Sequence, residues 1–88
     1  SRIGSLALLD VYGRVARVLM DLGRKRGEVV DSQIIIKDKP TQSEIAAMAG
    51  TTRETVSRAM TELTRQGFIA TRGRRLVITD RAALEQVT

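Results

Sequence analysis

Residues 41–67 contain two short helix patterns separated by a glycine, and this arrangement limits the fold more than any other feature of the sequence. Thr41 and Glu44 have the S/T-x-x-E spacing of a capping box, in which each side chain accepts a hydrogen bond from the other residue's backbone N–H. Gly50 stands where a left-handed residue ends a helix, and Thr51 or Thr52 then caps a second one. Two short helices joined by a turn of about three to four residues form a helix-turn-helix.

The second helix of this pair is predicted over residues 53–66, with a buried stripe and a polar face. The buried stripe is Val56, Ala59, Met60 and Leu63, at helical spacing. The polar face presents side chains that can meet base edges, and the first turn of such a helix is the part that enters the major groove of DNA. Arginine can fork onto guanine and glutamate can accept from the cytosine amino group. The candidate base-reading residues are Arg53, Glu54, Ser57 and Arg58, with Thr61 on the same face.

The chain before residue 41 predicts a helix and a strand. Val15, Val18, Leu19 and Leu22 repeat every three or four residues, which predicts a helix from an N-cap at Asp10 to a left-handed Gly27. The β-branched segment 33–37 predicts a strand that stops before Pro40.

The chain after residue 67 predicts a hairpin and a final short helix. Segments 68–71 and 75–79 have strand composition, and Arg72-Gly73-Arg74 between them forms a basic turn. Asp80 is placed to cap a helix that carries Ala83, Leu84 and Val87. The fold class is therefore α+β, mainly helical: a winged helix-turn-helix with a small antiparallel β-sheet.

Positive charge is concentrated around the second helix and the hairpin. The chain carries 15 Lys and Arg against 10 Asp and Glu, a net charge of +5, which favours a polyanionic partner. Residues 52–75 hold six arginines against two acids. Backbone N–H groups at the starts of the two helices also favour phosphate. The candidate phosphate-contacting residues are Thr41, Gln42, Ser43, Thr52, Thr55, Arg72, Arg74 and Arg75.

The residue types that are missing narrow the function. Without cysteine or histidine there is no thiol nucleophile, imidazole base or zinc site built from these residues, and the scattered acids form no visible catalytic pair. We therefore expect no catalytic residue, metal or cofactor in this domain, and no enzyme activity. No apolar run approaches the ~20 residues that cross a bilayer, so the sequence predicts a soluble, cytoplasmic protein.

Three runs in this order resemble the C-terminal winged-helix domain of the CRP/FNR transcription regulators. They are Leu9-Asp10-Val11-x-Gly13-Arg14-x-Ala16, Thr41-x-x-Glu44-Ile45, and Gly50-x-x-Arg53-Glu54-Thr55-Val56-x-Arg58, with Gly67 ahead of the wing. The resemblance covers about residues 9 to 79. It implies that Arg53, Glu54 and Arg58 match the family's base-reading residues, and that the helix starts and the wing contact phosphates.

The same resemblance implies a longer parent protein. Residues 1–9 are then the remnant of a dimerisation helix or hinge, and residues 10–88 are the DNA-binding domain. The parent is a homodimer with a separate sensor domain for a cyclic nucleotide or another effector, whereas this fragment is expected to be a monomer. RNA polymerase is an expected partner near residues 32–39. Arg53, Glu54 and Arg58 resemble the residues of the family branch whose half-site resembles TGTGA. Ser57 resembles the residue of the branch whose half-site resembles TTGAT. The TGA that both half-sites share is therefore the expected target.

The sequence leaves two alternatives open. One is a winged-helix module that docks protein without reading DNA, although such modules usually expose an apolar patch where this helix is polar. The other is that some candidate residues do not contact DNA. Glu54 and Arg58 have the spacing of an ion pair that would only stabilise the helix, and the wing arginines have the composition of an ordinary solvated turn.

Overall fold

A computed structural model describes the backbone of residues 2–88 and the side chains of residues 10–88. In chain order the elements are α1 (Arg2–Arg26), β1 (Glu28–Val30), β2 (Gln33–Ile36), α2 (Gln42–Ala49), α3 (Arg53–Arg65), β3 (Ile69–Arg72), β4 (Arg75–Ile78) and α4 (Arg81–Glu85). This is the predicted class, with β1 added. Among the described residues, no helix has both the length and the apolar character that crossing a bilayer requires.

Helix α1 is one continuous element and differs from the prediction at both ends. Its backbone is already helical at Arg2, so Asp10 is not an N-cap, and its carboxylate instead accepts from Arg14 one turn later. Gly27 is not left-handed, because only Gly50, Gly67 and Gly73 among the described glycines have positive φ. It is small for another reason: a Cβ there would meet the Ile34 side chain and lie 2.6 Å from the Gly23 carbonyl oxygen.

The sheet has four antiparallel strands in the order β1-β2-β4-β3. Alternate residues of β2 and β4 are buried, as the period of two along a strand requires. Register pairs Ile34 with Ile78 and Ile36 with Leu76, so these four side chains form one apolar face. That face packs against Val15 and the other buried residues of α1. Together with the buried residues of α2 and α3 they form a single core.

The helix-turn-helix has the predicted caps. Thr41 and Glu44 form both bonds of the capping box at the start of α2, and Gly50 ends this helix with φ 69°. Thr52 caps α3 by accepting from the Thr55 N–H. After α3, Gly67 has φ 81°, and the N–H groups of Gly67 and Phe68 return to the carbonyls of Thr64 and Leu63 in a Schellman pattern.

The buried residues of α3 match the predicted stripe except at one position. Val56, Ala59 and Leu63 of α3 are buried, and Met60 is partly buried against the core. In α2, Ala46 and Ala49 allow the close approach of the helices. Helix α4, capped by Asp80, packs Leu84 into the core, and it rests on α1 rather than on α3. The outer face of α3 is therefore not covered by the C-terminal segment.

Candidate nucleic-acid interface

The predicted base-reading residues form one open face of α3. Each residue turns the helix by about 100°, so the four candidate side chains spread over an arc of about 140° whose centre lies about 140° from that of the buried stripe. All four are exposed, and Thr61 lies near the middle of the same arc and is also exposed. The arc consists of Arg53, Glu54, Ser57 and Arg58. The helix thus separates its core-forming residues from a polar surface that carries two cations, an acid and a hydroxyl.

Charges on this face are not engaged with each other. In the part of the chain whose side chains are described, no ion pair joins Glu54 to Arg58, although their spacing permits one. Arg53 is in no ion pair either within that part. Their guanidinium and carboxylate groups are therefore available to an external partner.

The end of α3 is different. Glu62 accepts from Arg65 Nε at 3.0 Å and from Arg65 Nη2 at 2.6 Å, and it also accepts from Gln66. These bonds lower the pKa of Glu62 from 4.5 to about 2. The ion pair satisfies the charge of Arg65 within the helix.

Two threonine hydroxyls lie at the start of α3. The Thr52 hydroxyl accepts from the Thr55 N–H at 3.1 Å and donates to the Thr55 hydroxyl at 2.9 Å. Because a hydroxyl has one hydrogen, Thr52 is fully used as a donor, whereas the Thr55 hydrogen is left to donate outward. Of the two predicted phosphate contacts, Thr55 has the better chemistry for a side-chain bond to an anion.

The start of α2 combines polar groups with an acid. Thr41, Gln42 and Ser43 are all exposed, as a phosphate contact requires. Glu44 accepts from the Thr41 N–H at 2.8 Å, and this bond lowers the pKa of the Glu44 carboxyl. The carboxylate occupies part of the N-terminal turn that an anion would otherwise use. The capping role of Thr41 is confirmed, and its role toward phosphate stays a prediction.

The wing presents its arginines in a tight turn. Arg72 and Arg75 are partners across the hairpin, and Gly73, with φ 61°, occupies the first of the two turn positions. Like charges directly opposite each other repel, so an anion between them would relieve the repulsion. Arg74 lies 3.5 Å from Asp38, and its carbonyl accepts from the Lys39 N–H at 2.8 Å, which ties the wing to the loop before α2.

One groove of the described structure contains two of the predicted interface residues, Gln42 of α2 and Thr61 of α3. Lys39 of the β2–α2 loop, Thr64 of α3 and Thr71 of β3 line the same groove, whereas the four base-reading residues and the wing arginines do not. Every predicted base-reading residue is exposed. The phosphate candidates are exposed as well, apart from the half-buried Thr55.

Sequence reasoning missed two features of the described structure. Strand β1 was not predicted, although Val29-Val30 followed by the turn residues Asp31-Ser32 is a usable signal. The second is a contact between helices: Arg14 of α1 donates from Nε to the Ala49 carbonyl at 2.9 Å. No sequence signal pairs these residues, because they lie 35 positions apart.

Residues 13–87 match the family of Crp-like helix-turn-helix domains. The CRP-like cAMP-activated global transcriptional regulator of Mycobacterium tuberculosis is 32% identical over 80 residues, which are 91% of this chain and 36% of that protein. The cAMP-activated global transcriptional regulator Vfr of Pseudomonas aeruginosa is 36% identical over 77 residues, 88% of this chain and 36% of the relative. The chain therefore spans about a third of the length of these relatives, which are transcription regulators and not enzymes.

Solved structures have the same fold. The CO-dependent transcription factor CooA from Carboxydothermus hydrogenoformans superimposes with a TM-score of 0.78 at 29% identity, covering 97% of this chain and 39% of CooA. A CRP/FNR-family transcriptional regulator from Thermus thermophilus gives 0.74 at 29% identity, covering 98% of this chain and 44% of the regulator. These similarities confirm the winged-helix architecture predicted from the sequence.

Proposed function

Because this chain belongs to the family of Crp-like helix-turn-helix domains, we propose that it is the output domain of a transcription regulator and binds a specific sequence of double-stranded DNA. The observation that carries the proposal is the open face of α3. Arg53, Glu54 and Arg58 are exposed there without ion-pair partners in the described part of the chain. Charged groups held on a rigid helix and left unsatisfied match the donors and acceptors on base edges.

Helix α3 enters the major groove in this proposal. Arg53 and Arg58 donate to guanine O6 and N7, and Glu54 accepts from a cytosine amino group. Ser57 lies between them and contacts an adjacent base. Along the helix axis Arg53 and Arg58 are about 7.5 Å apart, close to two base-pair steps of about 3.4 Å, so this face spans about three base pairs. A TGA-containing half-site fits that length.

Phosphate contacts surround the reading face. Thr55 donates from the start of α3, Thr41, Gln42 and Ser43 contact the backbone from the start of α2, and Thr52 contributes through the turn it caps. The wing arginines then hold a phosphate on the other side, where the opposed pair of positive charges is relieved by an anion. The wing arginines are Arg72, Arg74 and Arg75.

The parent protein follows from the length of the relatives, since this chain spans 36% of each of the two named above. The proposal is a homodimeric regulator with a further domain that binds a cyclic nucleotide or another effector, acting in the cytoplasm and contacting RNA polymerase. The isolated chain, as a monomer, engages one half-site and lacks the avidity of two linked domains. Residues 1–9 belong to the dimerisation helix in this scheme, and residues 10–88 to the DNA-binding domain.

The alternative, a module that docks protein through α3, predicts a different surface. Protein interfaces are enriched in aromatic residues and methionine at their core and depleted of charge. The exposed arc of α3 carries charged and hydroxyl side chains, and Met48, the exposed methionine, lies on α2. The surface therefore favours DNA over a protein partner.

A titration of this chain against two duplexes tests the proposal. Fluorescence anisotropy is measured with a TGA half-site duplex and with a composition-matched scrambled duplex, at several salt concentrations. We expect the half-site duplex to bind at least about tenfold more tightly, with affinity for both falling steeply as salt rises because phosphate contacts release counterions. Arg53→Ala should remove most of the preference for the half-site and leave binding to the scrambled duplex within about threefold.

Two outcomes contradict the proposal. Equal affinity for both duplexes, with Arg53→Ala weakening them equally, would reduce α3 to a nonspecific cationic surface. Binding that hardly changes with salt would favour the protein-docking alternative. A selection from randomised duplexes with the dimeric parent then gives the complete site.

A further inference from the structure

One partly buried side-chain bond connects α1 to the helix-turn-helix. Arg14 donates from Nε to the Ala49 carbonyl at 2.9 Å, and its Nη1 donates to the Asp10 carboxylate. Asp10 precedes Arg14 by one helical turn, so the two residues form a short relay along α1 that ends on α2. The bond from Arg14 to Ala49 is partly buried, whereas the ion pair between Arg74 and Asp38, which also joins residues distant in sequence, is exposed to solvent.

The acceptor of this bond lies at a sensitive position. Ala49 is the last residue of α2, and a turn of three residues separates it from the start of α3 at Arg53. The N–H groups of Gly50 and Thr51 both return to the Ala46 carbonyl, so neither satisfies Ala49. A carbonyl at the end of a helix has no partner within the helix and carries part of its negative dipole, and a guanidinium satisfies both needs.

The turn that follows leads directly into the reading face. Gly50 is left-handed with φ 69°. A Cβ added there would meet nothing within 4 Å, so no neighbouring group packs against this side of the turn. Thr52, the cap of α3, is exposed. Core packing holds α2 and α3 against α1, and the bond from Arg14 adds a directional hydrogen bond at the residue that precedes the turn.

We propose that Arg14 is a positioning residue for DNA reading: through the Ala49 carbonyl it sets the orientation of the turn, and hence of Arg53 and Glu54, relative to α1. This rests on the proposed function, since the reading face matters only if DNA is bound. Asp10 supports Arg14 by holding the second nitrogen of its guanidinium. Movement of α1 then reaches the first turn of α3 through this hydrogen bond as well as through the packed core.

Two variants and a matched control test this inference in the full 88-residue chain. Arg14→Met keeps the length of the side chain and removes every donor, whereas Arg14→Lys keeps the charge and a single donor group. Arg17→Met is the control: Arg17 lies on α1, is exposed, and takes part in no side-chain hydrogen bond or ion pair among the described residues. It loses the same charge without losing a contact.

The first readout needs no DNA. Backbone amide resonances of Gly50, Thr51 and Thr52 are compared by NMR in the free proteins. We expect them to shift in Arg14→Met, to shift less in Arg14→Lys, and to stay in place in Arg17→Met. Unchanged amide positions in Arg14→Met would overturn the inference, whatever the chain binds.

The second readout is the ratio of half-site to scrambled-duplex affinity, measured below the thermal unfolding of each variant. A hydrogen bond to a charged group has a value equivalent to about tenfold or more, so we expect Arg14→Met to lower the ratio by about tenfold and Arg14→Lys to restore part of it. Asp10→Asn should lower it by a smaller factor, and Arg17→Met should leave it unchanged. A role in stability alone predicts that both duplexes lose affinity together.

The outcomes separate the inference from the proposed function. A wild-type chain without preference for the half-site would refute the proposed function and, with it, the reading role of Arg14. A wild-type preference that Arg14→Met leaves intact would refute the inference alone. If Arg14→Met does not fold, Arg14→Lys and Asp10→Asn give the same two readouts in proteins that retain the charge of Arg14.

Discussion

The two halves of α3 carry similar residues and use them differently. The first half places Arg53, Glu54 and Arg58 on an exposed face, where no ion pair joins them in the described chain. The second half places Glu62 beside Arg65, joined through two hydrogen bonds of 3.0 and 2.6 Å. Composition alone does not distinguish the halves, since both mix arginine with glutamate at helical spacing.

The difference shows how one helix can be stabilised at one end and keep side chains available for binding at the other. At the C-terminal end, an ion pair and a Schellman pattern satisfy charges and backbone groups internally. At the N-terminal end, the Thr52 cap satisfies one backbone N–H and leaves the side chains of the first turns open. A duplex can therefore replace water around Arg53 and Arg58 without first breaking an internal bond, which keeps the cost of binding low.

Replacing one arginine in each half gives the largest expected contrast. Arg58→Ala should weaken binding to the half-site duplex by about five- to 150-fold, since a bidentate contact to a base is worth about 1–3 kcal/mol. Arg65→Ala should change it by less than about twofold, because Arg65 is engaged with Glu62. Anisotropy titrations at one salt concentration measure both, and circular dichroism checks that both variants are folded.

Two results would contradict the expected difference between Arg58→Ala and Arg65→Ala. Equal losses in the two variants would mean that the whole helix acts as a cationic rod. A larger loss in Arg65→Ala would move the reading face toward the wing, beside the groove that Arg65 lines with Thr61 and Thr71.

Much of this arrangement is predictable from local sequence. The caps at Thr41, Thr52 and Gly50 and the buried stripe of α3 depend on neighbours within about four residues, and the structure confirms them. The exposure of Arg53 and Arg58 follows from the same periodicity. Which arginine is free and which is paired is less predictable: Glu54 and Arg58 have a favourable spacing and are not joined in the described chain, while Glu62 and Arg65 are.

Features that depend on contacts distant in sequence were not predicted. Gly27 is required by Ile34 across the helix–sheet interface rather than by its own φ. Strand β1 forms because β2 offers it a partner, and three residues alone give a weak pattern. The bond from Arg14 to Ala49 exists only after α1 and α2 have packed.

Removing the caps at the two ends of α3 compares how firmly each half is held. Thr52→Ala should lower the free energy of unfolding by about 1 kcal/mol, since it deletes the acceptor for the Thr55 N–H. Gln66→Ala should have a smaller effect, because the last turn keeps the Schellman bonds of Gly67 and Phe68. Urea unfolding followed by circular dichroism measures both values. A larger effect at Gln66 would mean that the C-terminal half, not the cap, holds the helix.

Replacing a wing arginine should give a smaller and less selective effect than replacing Arg58. Arg72→Gln removes one of two opposed charges across the hairpin. We expect affinity for half-site and scrambled duplexes to fall by the same few-fold factor, with the slope of log affinity against log salt reduced by about one. Arg81→Gln, on α4 and outside the predicted interface, is the control. A change in the ratio between the duplexes would place Arg72 among the base-reading residues.

Acid pH should remove the stability that the Glu62 ion pair contributes to the second half of α3. The bonds from Arg65 and Gln66 hold the pKa of Glu62 at about 2, against an ordinary 4.5. Because the folded-state pKa is the lower one, the contribution of Glu62 to stability is present above pH 4.5 and is lost as pH falls through about 2. Glu62→Gln should therefore lose less stability than the wild type on acidification.

Urea-unfolding midpoints measured between neutral pH and about pH 2 give this comparison. Glu28 and Glu44 also have lowered pKa values, through Lys37 and Thr41, so the variant should keep part of the acid-induced loss. Arg65→Gln removes the main cause of the shift and should flatten the profile in the same region. At neutral pH, Glu62→Gln should bind the half-site duplex as the wild type does. A fall in that affinity would show that the ion pair orients the reading face, and the two halves of α3 would then act as one unit.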